Sequence, residues 1–137
     1  MSKRKLNVAM IGTGFIAKAH SNAFRQVTHF FDVRYELGLK LVCGRNQAKL
    51  ESAAEQWGWE EVSNDWQAVV SRHDVDVVDI AVPNVLHAPI AMAAAKAGKM
   101  VWCEKPLATS LQEAESMAQA VRQSRTWSGS TTGEFRP

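Results

Sequence analysis

Cysteines, prolines and long apolar runs are all scarce in this chain. Its 137 residues include 2 cysteines, 1 tyrosine and 4 prolines. Cys43 and Cys103 each sit in an apolar stretch. They read as reduced, buried side chains, and so few cysteines exclude a scaffold held together by disulfides. No stretch reaches the roughly 20 apolar residues that a membrane-spanning helix needs. The most apolar helical candidate, "APIAMAAAKAG", is far shorter. The opening "MSKRKLNVAMIGTGFIA" has the basic head of a secretory leader, but Asn7 and the glycines break its apolar body and helical patterning follows at once. A dominant charge is missing too. The 16 Lys+Arg against 14 Asp+Glu leave +2, with only "KRK" clustered. Neither nucleic acid nor a membrane surface is an expected partner, and the expected compartment is the cytoplasm. No metal-ligand set is assigned.

What is present suits one domain with a packed core, at 46% hydrophobic and 22% charged. Strand and helix signals alternate along it. "LNVAMIG", "LKLVCG", "VDVVDIAV" and "KMVWCE" are β-rich runs, and "EEVSN" is a weaker one. Helical patterns run from Phe15 to Gln26, Asn46 to Trp57, Asp65 to Ser71, Leu86 to Ala97 and Ser110 to Arg122. Gly98 stops the fourth, and Ser110 with Glu113 forms a capping box for the fifth. Parallel strands need crossover helices, and strands covered on both faces read as continuous apolar runs. The alternation therefore predicts an α/β fold with a Rossmann-type, doubly wound parallel sheet. In the longer connection "QVTHFFDVRYELG", Phe30, Phe31 and Tyr35 are expected to pad the sheet edge.

The first strand leads directly into Gly12-Thr13-Gly14-Phe15-Ile16-Ala17, a G-x-G-x-x-A element that opens a helix. Gly12 permits the tight turn, Gly14 lets backbone approach a pyrophosphate, and Ala17 allows close helix–strand packing. The helix start adds free N–H groups and a partial positive charge. A dinucleotide site that includes Thr13, Phe15 and Ile16 is expected. In such a site the second strand ends in an acid that bonds the adenosine ribose. Here it ends "LVCGRN", so Gly44 stands at the acid's position with Arg45 and Asn46 after it. A glycine beside a guanidinium accommodates a 2′-phosphate that a carboxylate would repel, which favours NADP over NAD as cofactor. Asn46 as a helix cap and Arg45 in water is the competing reading.

"GTGFIA", "VPNVLHAPIAMAAAKAGK" and above all "CEKPLA" together resemble the glucose-fructose oxidoreductase, inositol dehydrogenase and rhizopine-catabolism (Gfo/Idh/MocA) family over about residues 5 to 124. The resemblance implies an NAD(P)-dependent dehydrogenase that transfers hydride at a sugar or polyol hydroxyl carbon. It implies that Lys105 is the catalytic lysine beside the nicotinamide. Pro106 favours an extended Lys105 at the strand exit, where open α/β sheets bind ligands. Glu104 would orient or partner Lys105. Pro83, Asn84 and His87 follow the fourth strand, and similarity to the family places Asn84 and His87 on the nicotinamide-ribose side; packing or capping is the other reading of His87. His20 matches a frequent family residue and reads as packing.

Family members run more than twice this length. They continue into a second α/β domain with a substrate wall, a dimerising sheet and a histidine–aspartate proton-transfer pair, which implies a homo-oligomeric parent. The last stretch here, "RTWSGSTTGEFRP", departs from the family's sixth strand. Codons for "WSGSTTGEFR" read from the third base can give "VGFNYRRIP", which is family-like. Residues 1–124 are thus expected to form the dinucleotide-binding domain. Residues 125–137 are expected to be a frame-shifted or disordered tail, with the sheet left open at its sixth position. Two further readings stand beside an inactive enzyme fragment: a non-catalytic dinucleotide sensor, and a non-functional truncated product.

Overall fold

In the computed structural model, which describes residues 2–125, 128–130 and 133–135, the β-branched and aliphatic runs become strands of one sheet. They are β1 (Arg4–Ile11), β2 (Tyr35–Cys43), β3 (Glu61–Ser63), β4 (Val77–Ile80), β5 (Met100–Cys103), β6 (Ser128–Ser130) and β7 (Gly133–Phe135). Their spatial order is β3-β2-β1-β4-β5-β6-β7. Pairing is parallel from β3 to β6 and antiparallel between β6 and β7. The chain winds outward from β1 to β3 and then returns to lay β4 on the other side of β1. The order reverses there, which opens a crevice at the carboxyl ends of β1 and β4.

Five helices make the crossovers: α1 (Phe15–Phe30), α2 (Gln47–Trp57), α3 (Trp66–Val70), α4 (His87–Lys96) and α5 (Leu111–Ser124), with a 3-10 turn at Asn84–Leu86 before α4. Side chains alternate across β1, and each parity packs in its own core. Val8 and Met10 join Ala17, Val42, Leu50 and Trp59. Ala9 and Ile11 join Leu41, Val78, Ile80 and the buried faces of α4 and α5. Ala17 is fully buried, as close packing of α1 on the sheet requires. Side chains cap three helices: Asn46 accepts from the Lys49 N–H, Asp65 from Ala68 and Ser110 from Glu113. The Glu113 carboxylate accepts from the Thr109 hydroxyl, so the reciprocal half of the expected capping box is replaced by that bond.

Three expectations are corrected. Helix α1 continues past Gln26 to Phe30 and β2 already begins at Tyr35, so the connection shrinks to residues 31–34. Phe30 and Phe31 are 75% and 67% exposed and Tyr35 is 43% exposed, because that short turn has nothing to fold over. The sixth position of the sheet is filled: Ser128–Ser130 pairs with Val101–Cys103, and Ser128 is buried. The expected tail falls partly outside the described residues, at 126–127, 131–132 and 136–137. Among the described residues no helix is long and apolar enough to cross a membrane.

Candidate functional site

The crevice is built by the turn after β1. Gly12 has φ +131, and its N–H donates to the Cys43 carbonyl at 2.8 Å. A Cβ at Gly12 would collide with the Ala81 carbonyl oxygen and stand 2.8 Å from its carbon. Only glycine lets β1 turn this close to the exit of β4. Gly14 differs. It has ordinary extended backbone at the N-cap of α1, and a Cβ there meets nothing within 4 Å. No side chain caps α1 and its first turn carries no acid, in contrast to the side-chain caps of α2, α3 and α5. The first N–H groups of α1 are therefore left for another acceptor. The Gly14 space and these donors together fit a pyrophosphate.

A cleft of about 470 Å³ runs from this turn, lined by Gly12, Thr13, Gly14, Gly44, Arg45 and Pro83 among others. Gly44 sits tightly at the end of β2, where a Cβ would come 3.1 Å from Thr13 Cγ2 and 3.4 Å from Leu50 Cδ2. Arg45 is exposed on the rim, and among the described residues its guanidinium has no protein partner. Asn46 turns away to cap α2. The sequence reading missed Asn64, Trp66, Val82 and Leu86, which also line the cleft. Asn64 and Trp66 follow the weak strand β3, and their position at a carboxyl strand end was the available signal. Burial pushes the Cys43 thiol beneath the cleft up to about 11, so it remains neutral.

Phe15 and Ile16 do not line this cleft; their side chains are 80% and 40% exposed at the start of α1. His87 is not at the cleft surface either. It is 1% exposed, and its ring nitrogens lie 2.9 Å from the Pro106 carbonyl and 2.8 Å from the Val82 carbonyl. Of the two readings of His87, packing is the one its surroundings match: it ties the segment after β5 to the exit of β4. Asn84 reaches the same segment through Nδ2, which donates to the Ala108 carbonyl at 3.4 Å, and among the described residues its buried Oδ1 has no hydrogen-bond partner.

Lys105 stands exposed immediately beyond β5, and the Lys105–Pro106 peptide is cis. Glu104 beside it is 7% exposed, and its Oε2 accepts from the Lys105 backbone N–H at 3.3 Å. The other Glu104 oxygen, Oε1, lies 3.0 Å from His20 Nε2. His20 Nδ1 lies 2.8 Å from Oδ2 of Asp79, which is fully buried on β4. His20 was expected merely to pack; it joins two carboxylates. Asp79 was overlooked, although a carboxylate inside the apolar run "VDVVDIAV" signals a buried partner. Among the described residues no group of three or more His, Cys, Asp or Glu side chains is arranged to hold a metal ion.

Comparison with known proteins agrees with this geometry. Residues 6–128 match the model of an oxidoreductase family with an NAD-binding Rossmann fold, GFO_IDH_MocA. Levoglucosan dehydrogenase of Pseudarthrobacter phenanthrenivorans is 43% identical over 120 residues, covering 87% of this chain and 31% of that protein. Inositol 2-dehydrogenase of Salmonella typhimurium is 32% identical over 115 residues, covering 84% and 33%. A solved levoglucosan dehydrogenase in complex with NADH superposes with a TM-score of 0.87 at 41% identity, covering 90% of this chain and 33% of that one. The chain thus spans about a third of the length of these relatives.

Proposed function

Because the chain belongs to the Gfo/Idh/MocA oxidoreductase family, we propose that it forms the dinucleotide-binding unit of a dehydrogenase acting on a sugar or polyol hydroxyl carbon. The observation that carries this reading is the pairing of an uncapped α1 with the empty space over Gly14, at the point where strand order reverses. The first N–H groups of α1 hold the pyrophosphate. The corner formed by Gly44 and Arg45 takes the adenosine ribose. With no acid at that corner and a guanidinium on its rim, it accepts a 2′-phosphate, so NADP is favoured while NAD still binds. The NADH complex of the levoglucosan enzyme supports binding of the non-phosphorylated form.

The bound nicotinamide supplies the hydride acceptor. Lys105, presented at the exit of β5, donates a hydrogen bond to the substrate oxygen and stabilises negative charge that builds on it. Buried His87 and half-buried Asn84 hold the 106–108 segment beneath that position. Substrate names among the relatives, levoglucosan and inositol, support a sugar or cyclic polyol as the substrate class. Alcohol oxidation also needs a positioned base and an oriented substrate, and each contributes orders of magnitude. The 137-residue chain by itself is therefore inactive, and in a longer parent a second, oligomer-forming domain supplies both.

The test is isothermal titration of the purified chain with NAD and NADP, followed by assay of NAD(P)H formation over a panel of sugars and polyols. Binding without turnover is the expected result. Absence of binding to either dinucleotide would overturn the reading, and turnover would overturn the division of labour.

A further inference from the structure

A histidine between two carboxylates is a charge arrangement that the cofactor cleft does not require. His20 projects from α1 beside the sheet, with Nδ1 on Asp79 of β4 and Nε2 on Glu104 at the end of β5. A carboxylate only accepts hydrogen bonds, and a neutral imidazole carries one N–H. With Asp79 and Glu104 both ionised, the two contacts are satisfied together when the ring is protonated on both nitrogens. Buried charges need such pairing, and among the described residues Asp79 Oδ1 has no hydrogen-bond partner, which leaves His20 on Oδ2 as the bond the Asp79 carboxylate makes. The remaining oxygen of Glu104 accepts from the Lys105 N–H. One unbroken path thus joins the His20 proton to the backbone of Lys105.

We propose that His20 is a positioning residue for Lys105: its doubly protonated ring fixes Glu104, and Glu104 fixes the Lys105 backbone at the exit of β5. That this matters for chemistry rests on the role given to Lys105 above; the coupling itself does not.

The titratable groups facing the ring are Asp79 from β4 and Glu104 from the end of β5, and Trp102 of β5 lines the same cavity; Cys103 lies on the other face of the sheet, in the core with Val101 and Ile80. Burial first, and then Asp79 and Glu104, push the Cys103 thiol up to about 12, so it stays uncharged. Phe24 on the same helix approaches the ring edge-on. His20 is held above the ordinary value of 6.5, chiefly by its bond to Asp79, with burial opposing and Glu104 assisting. Asp79 is raised by burial, with His20 opposing. For a histidine raised on folding, the stabilisation is fully present below pH 6.5 and disappears as pH rises through the folded value. The proton that leaves is the one on Nε2. Asp79 lies wholly inside and cannot recruit water, whereas the Glu104 side chain is 10% exposed and its contact is the longer one. Alkaline deprotonation therefore frees Glu104 while His20 stays on Asp79.

The experiment records ¹⁵N spectra of the histidine rings and of the Lys105 backbone amide across pH 5 to 9 in the 137-residue chain without cofactor. The expected result is a His20 midpoint above the ordinary histidine value, with the Lys105 amide moving at the same midpoint. His20→Gln keeps a donor and an acceptor but cannot titrate, so the Lys105 transition should vanish. Asp79→Asn should lower the His20 midpoint and carry the Lys105 midpoint down with it, and it serves equally if the glutamine variant fails to fold. A Lys105 amide that is flat while His20 titrates, or one that still titrates in His20→Gln, overturns the proposal. So does a His20 midpoint at or below the ordinary value. A chain that gives the coupled titration but binds no dinucleotide upholds the coupling and overturns only the cofactor reading.

Discussion

The two glycines of the β1–α1 turn should respond to substitution in opposite ways, because one serves the fold and the other serves the ligand. Gly14→Val places its Cβ where no described atom beyond the adjoining residues lies within 4 Å, on backbone with φ −82 that any residue adopts. Losing glycine at an N-cap costs a few tenths of a kcal/mol to about 1, and reduced freedom of the unfolded chain returns about 0.4–1. Stability should barely change. The branched side chain nevertheless fills the approach to the α1 amides, so dinucleotide affinity should fall ten-fold or more, about 1.4 kcal/mol. Gly12→Ala is the converse. Its φ of +131 is open only to glycine, and the new Cβ meets the Ala81 backbone. That backbone cannot give way, since the Ala81 N–H donates to Ile11 at 2.8 Å and pins β4 to β1. Backbone strain of about 1–3 kcal/mol and overpacking of about 1–3 more apply together.

Urea unfolding at constant m-value and isothermal titration with NAD and NADP separate the two effects. The expected pattern is Gly14→Val with native stability and lost affinity, and Gly12→Ala with a lowered midpoint that corresponds to a loss of about 2–6 kcal/mol of stability. Undiminished binding by Gly14→Val would remove the dinucleotide from this turn. An unchanged midpoint for Gly12→Ala would show that β1 and β4 do not approach as described.

Cofactor choice should turn on the exposed Arg45: Arg45→Ala should weaken NADP by about ten-fold and leave NAD nearly unchanged, as loss of one charged hydrogen-bond pair of about 1.5–3 kcal/mol predicts. Isothermal titration checks this, and equal losses for both cofactors would refute a 2′-phosphate contact. Acid stability should depend on Arg72, whose guanidinium holds Glu61 and Asp74 each down to about 2, against ordinary values of 4.5 and 3.8. Carboxylates depressed in this way contribute stability above those ordinary values and lose it as pH falls toward 2. Because these side chains are largely solvated, the effect should be modest. Urea midpoints measured from pH 5 to 2 should therefore fall less steeply in Arg72→Leu than in the unmodified chain.

The sheet and its glycine turn were legible because their signals are local. Apolar runs bounded by glycine or proline mark parallel strands, and G-x-G-x-x-A directly after the first one needs no tertiary information to be placed. Asn46 and Ser110 were legible as caps for the same reason. The length of α1 was not legible: "VTHF" holds β-branched and aromatic residues that propensity alone would end before, yet the helix continues to Phe30. Nor was the sixth strand, because "SGS" has no strand propensity and is held by pairing with β5 on one side and β7 on the other.

His87 and His20 show what position along the chain leaves open. His87 was read as either a cofactor contact or a packing residue and His20 as packing, and among the described residues neither ring lines the cleft at the β1–α1 turn. What separates their roles is the partners that folding supplies: backbone carbonyls for His87, and carboxylates from two different strands for His20. Position 79 lies 59 residues from His20 along the chain. No spacing rule relates them, whereas the sheet order does, because β1 sets α1 beside β4. The sequence does carry half of the signal. An aspartate inside an apolar strand must find a donor or a proton, and the donors available to β4 are those that the β1–α1 unit and the exit of β5 bring to it. Searching such strands for unpaired carboxylates, and then asking which histidine the topology delivers, would have found the Asp79–His20–Glu104 bridge from the predicted fold alone.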